Sequence, residues 1–209
     1  MNITQQLLTF WFGKSNVNFK VEKREIWFKS TPEFDASVLK KFKNAYEEAA
    51  TDKLDYLAKE EPGCLALILL LDQIPRNLFR NSSKAYSTDN KAKSVARIGI
   101  ENGYDKKMSV WHRVFFYLPF EHSEIIEDQD FSVQLFKSLG LKSSFEAALD
   151  HQNIIKKFGR FPYRNKALGR PSTPQEEEFL LDPPPWGKTK SEMEELERKH
   201  KLNNKIRKV

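Results

Sequence analysis

Cysteine is almost absent from this 209-residue chain. Cys64 is its one thiol, so an intramolecular disulfide and a cysteine-rich zinc site are both excluded. Its setting, CLALILLL, makes it a small buried hydrophobe rather than a nucleophile. Long apolar runs are lacking as well. That stretch, 64–71, is the longest, whereas a membrane helix needs roughly 20 residues. The opening MNITQQLLTFWFGK has no positive n-region and no cleavage pattern, so it is not read as a signal peptide. A soluble, cytoplasmic protein with no membrane contact is the expectation. No stretch alternates cleanly at period two, which argues against strands. A glycine-rich phosphate loop, a G-x-S-x-G elbow, a His-Glu-x-x-His pair and a dinucleotide fingerprint are all missing. No cofactor is expected.

Hydrophobic residues make up 39% of the chain and aromatics 12%, with sixteen Phe, enough for a sizeable core at this length. Charged residues at 31% and a mean hydropathy of −0.64 put a heavily solvated surface around it. The net charge of +6 invites a nucleic-acid partner. From Trp186 onward, however, eight Lys and Arg stand against four Glu. That segment holds +4 of the total and leaves the body at +2, so nucleic acid is expected only through the basic tail.

Helical periodicity dominates. Asn2 to Phe12 predicts a first helix closed by Gly13. Thr31-Pro32-Glu33 is a start signal of capping hydroxyl, first-turn proline and acid, followed by the stripe Phe34, Val38, Phe42, Tyr46, Ala49. A short helix is expected near 52–59. Pro62 opens LALILLL, apolar on all sides, which at this length marks the centre of a bundle. Asp72-Gln73 should end it and Pro75 stop it. Further helices are predicted from Ser87-Thr88-Asp89 to Ile100, from Ser109 to Leu118 before Pro119, and from Glu124 to Leu139. Another should start at Ser143 or Ser144 and end at Gly159, and a last one follows the capping-box pair Thr173 and Glu176. The sum is an all-α fold of eight or nine helices over residues 1–182. A Pro-rich linker and a charged helix or tail are expected over 183–209. No 34-residue repeat is legible.

Four segments then form a recognisable set: LLLDQIPRNLFR (69–80), AYSTD (85–89), FYLPFEHSEIIEDQDFSVQLF (116–136) and HQNIIKKFGRFPYRNKALGRPSTPQEEEFL (151–180). With FWFG (10–13) and WFKSTPEFD (27–35), they resemble a bacterial family known as domain of unknown function 924. The combination is specific; each motif alone is weak. The resemblance spans roughly residues 5–181 and implies a multi-helix bundle or right-handed α-α superhelix resembling the tetratricopeptide-like superfamily. It implies no activity.

The candidate site residues are polar groups in apolar settings. Asp72 closes an apolar helix, where dipole and burial both work against an anion unless Arg76 or an arginine from 160–170 pairs with it. A buried ion pair and a functional carboxylate are both open readings. Arg76, Asn77 and Arg80 share one turn and suit either a phosphate or carboxylate fork, or the open carbonyls of helix ends. Glu121-His122-Ser123-Glu124 sits at a predicted helix start, where the dipole favours a neutral imidazole and the acids oppose it. Its spacing matches no metal motif, so no metal site is assigned. Asp128 and Gln129 lie on an apolar stripe and need specific partners.

His151 aligns with Ala147, Ile154 and Phe158 and faces inward. A satisfied core histidine competes with an acid/base role, which would require Asp128, Glu121 or Asp72. Arg160, Arg164, Asn165 and Arg170 crowd the loop that follows, as ligand donors or as caps on helix carbonyls. Three functions are carried forward. The first is binding of a small anionic molecule or peptide in an Arg/His/Asp pocket. The second is a helical scaffold for protein partners with structural polar clusters. The third is a hydrolase or transferase with His122 or His151 as acid/base.

Overall fold

The apolar stretch beginning at Cys64 decides the architecture. Helix α3 (Glu61–Ile68) leads through a π turn (Leu69–Gln73) straight into α4 (Ile74–Leu78), and every side chain from Cys64 to Leu71 is fully buried. Each Leu or Ile taken from water there contributes about 1.5–3 kcal/mol. A helix apolar on all sides has to be surrounded. Here α1 (Ile3–Phe12), α2 (Pro32–Ala50), α5 (Asp89–Glu101) and α6 (Val110–Glu121) surround it. Helices α7 (Ile126–Ser138) and α8 (Lys142–Phe158) pack on each other and on α6. Two short helices, α9 (Asn165–Leu168) and α10 (Pro174–Leu180), complete the order. Taking α3 and α4 as one continuous helix, the described residues form nine helices and no strand. The structure, a computed structural model, describes residues 1–184 with 194, 195 and 198. The linker and tail expected over 183–209 therefore lie almost wholly outside the described residues.

Two prolines do not end their helices, contrary to expectation. Pro75 lacks the N–H that would reach the Leu71 carbonyl. The π turn, with the Ile74 N–H on the Leu69 carbonyl, absorbs the change of register. The Leu71 carbonyl instead accepts the Thr88 hydroxyl at 2.6 Å. Pro119 lies inside α6, which runs to Glu121 and not to Leu118. Val114 to Phe120 are buried throughout that turn, and their burial outweighs the roughly 3 kcal/mol an internal proline costs.

Other boundaries shift by a residue or two. Helix α7 starts at Ile126 rather than Glu124, because Ser123 stands outside it, accepting the Ile125 N–H at 3.3 Å and donating to Asp128 at 2.7 Å. Helix α8 starts at Lys142, ahead of Ser143 and Ser144, with partly buried Leu141 fixing its entry. The stretch near 52–59 narrows to a 3₁₀ turn at Asp55–Lys59. Gly159 ends α8 with φ of 68°, a left-handed geometry that only glycine adopts freely. The chain there folds back, and Phe161 joins Ile154 and Ile155 in a second small core that also draws in Ile126, Phe158, Tyr163 and Phe179.

Candidate functional site

Continuation of α4 past Pro75, and of α6 past Pro119, brings two polar stretches face to face. Asp72 is therefore mid-helix in the π turn, not at a helix end. His122 is at the C-cap of α6, not at a helix start, and Glu121 occupies its last turn. The His122 Nδ1–H donates to the Asp72 carboxylate, at 2.8 Å from Oδ1 and 3.0 Å from Oδ2. Gln73 Nε2 donates to Asp72 Oδ2 at 2.6 Å, and Arg76 Nη1 stands 3.4 Å from Oδ1. Arg76 is held in turn by a two-pronged pair with Asp89, at 2.9 and 3.0 Å. The other nitrogen of His122, Nε2, bonds to none of the described residues, and its side chain keeps 15% exposure.

The third segment arrives through α8 and the loop after Gly159. His151 is buried, as its helical position predicts, and its Nδ1–H donates to the Ala147 carbonyl at 2.8 Å. Its ring lies edge-on to His122, with centroids 6.5 Å apart. Of the three acids considered for it, Glu121 is the one beside it, with Oε1 3.6 Å from Nδ1. Arg164 lies between Tyr86 and Phe161, its guanidinium 4.7 and 4.5 Å from their centroids. Its Nη1 is 3.6 Å from Asp89, too long for a hydrogen bond. Its Nε has no partner among the described residues although the side chain is 6% exposed.

Charge follows from burial and neighbours. Burial works to raise the Asp72 carboxyl, but Arg76 and His122 outweigh it and hold Asp72 below the usual carboxylate range. Burial, reinforced by the Asp72 charge, lifts Glu121 to about 8, so it carries a proton at neutral pH. Burial pushes His151 down to about 3, with His122, Arg164 and Arg76 acting the same way against the Ala147 hydrogen bond. His122 is lowered as well, by burial and Arg76 against the pull of Asp72. The cluster at neutral pH is thus two carboxylates, two guanidiniums, two neutral imidazoles and one protonated carboxyl.

The remaining candidates are bound to other partners. Asn77 donates to Asp35 at 2.7 Å and Arg80 pairs with the same carboxylate at 2.9 Å. Asp128 accepts from Lys93 at 2.6 Å and Arg97 at 3.1 Å, apart from either histidine. Arg160 forms a fork with Glu176 at 2.7 and 2.8 Å, and Asn165 donates to Ser172 at 3.1 Å. Arg170 forms another fork with Glu124 at 2.7 and 3.0 Å, and Glu124 also accepts the Phe161 N–H at 2.8 Å. Four contributors escaped the sequence reading: Asp89, Gln73, Tyr86 and Phe161. Asp89 was legible only as part of a capping signal, and nothing local marks the two aromatic rings as a seat for an arginine. Among the described residues, no group of three or more His, Cys, Asp or Glu is placed to hold a metal ion. No helix there is long and apolar enough to cross a membrane.

A family profile described as bacterial protein of unknown function (DUF924) matches residues 7–184. Among solved structures, ATU0120 from Agrobacterium tumefaciens, itself a protein of unknown function, is similar at 36% identity and a TM-score of 0.79. The match covers 87% of this chain and 98% of that one. No curated protein matches.

Proposed function

The chain belongs to the DUF924 family of bacterial proteins of unknown function, and from that footing we propose that it binds a small anionic molecule at the cluster of Arg76, Glu121, His122, His151 and Arg164. One observation carries the reading, the condition of Arg164. Arg80, Arg160 and Arg170 each have a carboxylate within direct hydrogen-bonding distance, which supports structural roles for those three. Arg164 is more buried than any of them, yet it shares Asp89 with Arg76 at 3.6 Å and leaves its Nε without a partner among the described residues. A buried guanidinium so incompletely bonded costs free energy that a bound carboxylate or phosphate would offset in fork geometry. Stacking on Tyr86 and Phe161 fixes the plane of that fork. Protonated Glu121, whose carboxyl is hydrogen-bonded to none of the described residues, supplies a second donor.

Thermal unfolding with inorganic phosphate or succinate, at constant ionic strength, tests this in the wild type, Arg164→Met and Arg160→Met. A ligand at 100 times its Kd adds about 2.7 kcal/mol to stability. The wild type and Arg160→Met should gain in Tm on ligand addition, and Arg164→Met should not. An equal gain in Arg164→Met, or none in the wild type, would remove the proposal in favour of a scaffold whose polar clusters are structural.

A further inference from the structure

The Asp72–His122 pair does more than neutralise a buried charge. Its carboxylate is fully buried and fixed from a second side by Gln73. The imidazole proton is thereby held on Nδ1, leaving Nε2 as a lone-pair acceptor. That atom bonds to none of the described residues, and its ring still reaches the surface. A histidine that only closed a buried ion pair would have no reason to keep that edge open. The pair exists because the chain widens into a π turn at Asp72, a feature frequent at functional sites. The next side chain back along α6, Glu121, is a buried acid whose carboxyl has no hydrogen bond to a described residue.

We infer that Asp72 and His122 form the general-base pair of a hydrolase acting on small esters or amides that carry an anionic group. The inference rests on the anion-binding reading for the charged end of the substrate, which Arg164 would hold. The nucleophile is water. Ser123 donates its hydroxyl to Asp128, and Cys64 donates its thiol to the Val95 carbonyl. Neither is bonded to Nε2.

In the reaction, His122 Nε2 takes a proton from the water and the water oxygen bonds to the acyl carbon. The bond from that carbon to the leaving oxygen or nitrogen breaks, and the leaving atom takes the proton of Glu121. His122 then releases its proton to solvent and Glu121 regains one. The net change is ester plus water to acid plus alcohol. Asp72 is a positioning residue, since it acts through His122. The charged and titratable groups facing His122 are Asp72, Arg76, Asp89 and His151. Activity should rise with pH as His122 deprotonates, below the ordinary 6.5 of histidine, and fall near pH 8 as Glu121 ionises.

The test measures hydrolysis of monoethyl succinate and of ethyl acetate, whose alkoxide leaving group needs the Glu121 proton, across pH with wild type, His122→Asn and Asp72→Asn. The wild type should prefer the anionic ester and show a bell-shaped profile with its alkaline limb near 8. His122→Asn should lose about 10²- to 10⁴-fold in kcat with little change in KM. Asp72→Asn should lose activity and its acid limb. Full activity in folded His122→Asn, or wild-type hydrolysis no faster than buffer, would overturn the inference. Should neither variant fold, the wild-type profile decides: the bell supports the assignment and a monotonic profile overturns it. Phosphate-dependent stabilisation without hydrolysis would overturn catalysis alone and leave the anion site standing.

Discussion

Replacing Glu121 with Gln isolates one buried proton. In the folded protein Glu121 titrates at about 8, against an ordinary 4.5. Below 4.5 both folded and unfolded states hold the proton. Between 4.5 and 8 only the folded state does, so stability falls as pH rises through that window. The slope is about 1.4 kcal/mol per pH unit and the whole window amounts to about 5 kcal/mol. His151 has the opposite sign. Its folded value of about 3 lies under the ordinary 6.5, so its contribution is complete above 6.5 and is lost as pH falls towards 3. Between 4.5 and 6.5 these two slopes cancel, and the wild type should gain stability with pH there only through His112, lowered to about 4 by burial, and His122, lowered as well. From about pH 6.5 to 8 only Glu121 titrates, and the wild type should lose about 2 kcal/mol from this pair. The Gln variant keeps the shape of the protonated carboxyl and removes that loss. Urea unfolding followed by tryptophan fluorescence at about pH 5, 6.5 and 8 gives both curves. The variant should gain on the wild type by about 2 kcal/mol between the upper two values. A wild-type-to-variant difference constant across the three pH values would show that folded Glu121 is already ionised, and the account of the cluster's charge would fall.

Two further outcomes probe how the site is built. Thr88→Val removes the hydroxyl that satisfies the Leu71 carbonyl and should cost about 1–3 kcal/mol. Thr88→Ser should recover most of it, and a Tm unchanged in Thr88→Val would mean the carbonyl freed by Pro75 is satisfied elsewhere. Gly99→Ala would place a methyl 2.3 Å from Phe116 Cζ and 2.8 Å from Cys64 Sγ. Both neighbours are fully buried, so overpacking should lower stability by about 1–3 kcal/mol, read as a drop in the urea midpoint; an unchanged midpoint would show that α5 can move away from α3.

Local chemistry was legible wherever a residue's role depends on its own stretch of chain. Thr31 caps α2 by accepting the Phe34 N–H, Thr173 and Glu176 form the capping box of α10, and Gly159 takes the left-handed turn that ends α8. The inward side of His151 and the burial of Cys64 to Leu71 follow from helical spacing in the same way. Pro75 and Pro119 misled because local rules count a proline as a stop. Here a distant hydroxyl, Thr88, accepts the cost of one, and a shell of buried aromatics accepts that of the other. Those two continuations then decided the candidate site. They moved Asp72 to the middle of a helix and His122 to the end of one, where the two could meet. Which arginine found which carboxylate was equally beyond the sequence. Arg80 went to Asp35, Arg160 to Glu176 and Arg170 to Glu124. Arg164 was left on two aromatic rings beside an aspartate already paired with Arg76. Helix periodicity and caps act over three or four residues, so the sequence alone determined an all-helical chain and most of its turns. Charge pairing and pKa depend on distance and burial across segments up to 50 or more residues apart, and those only the packed structure decided.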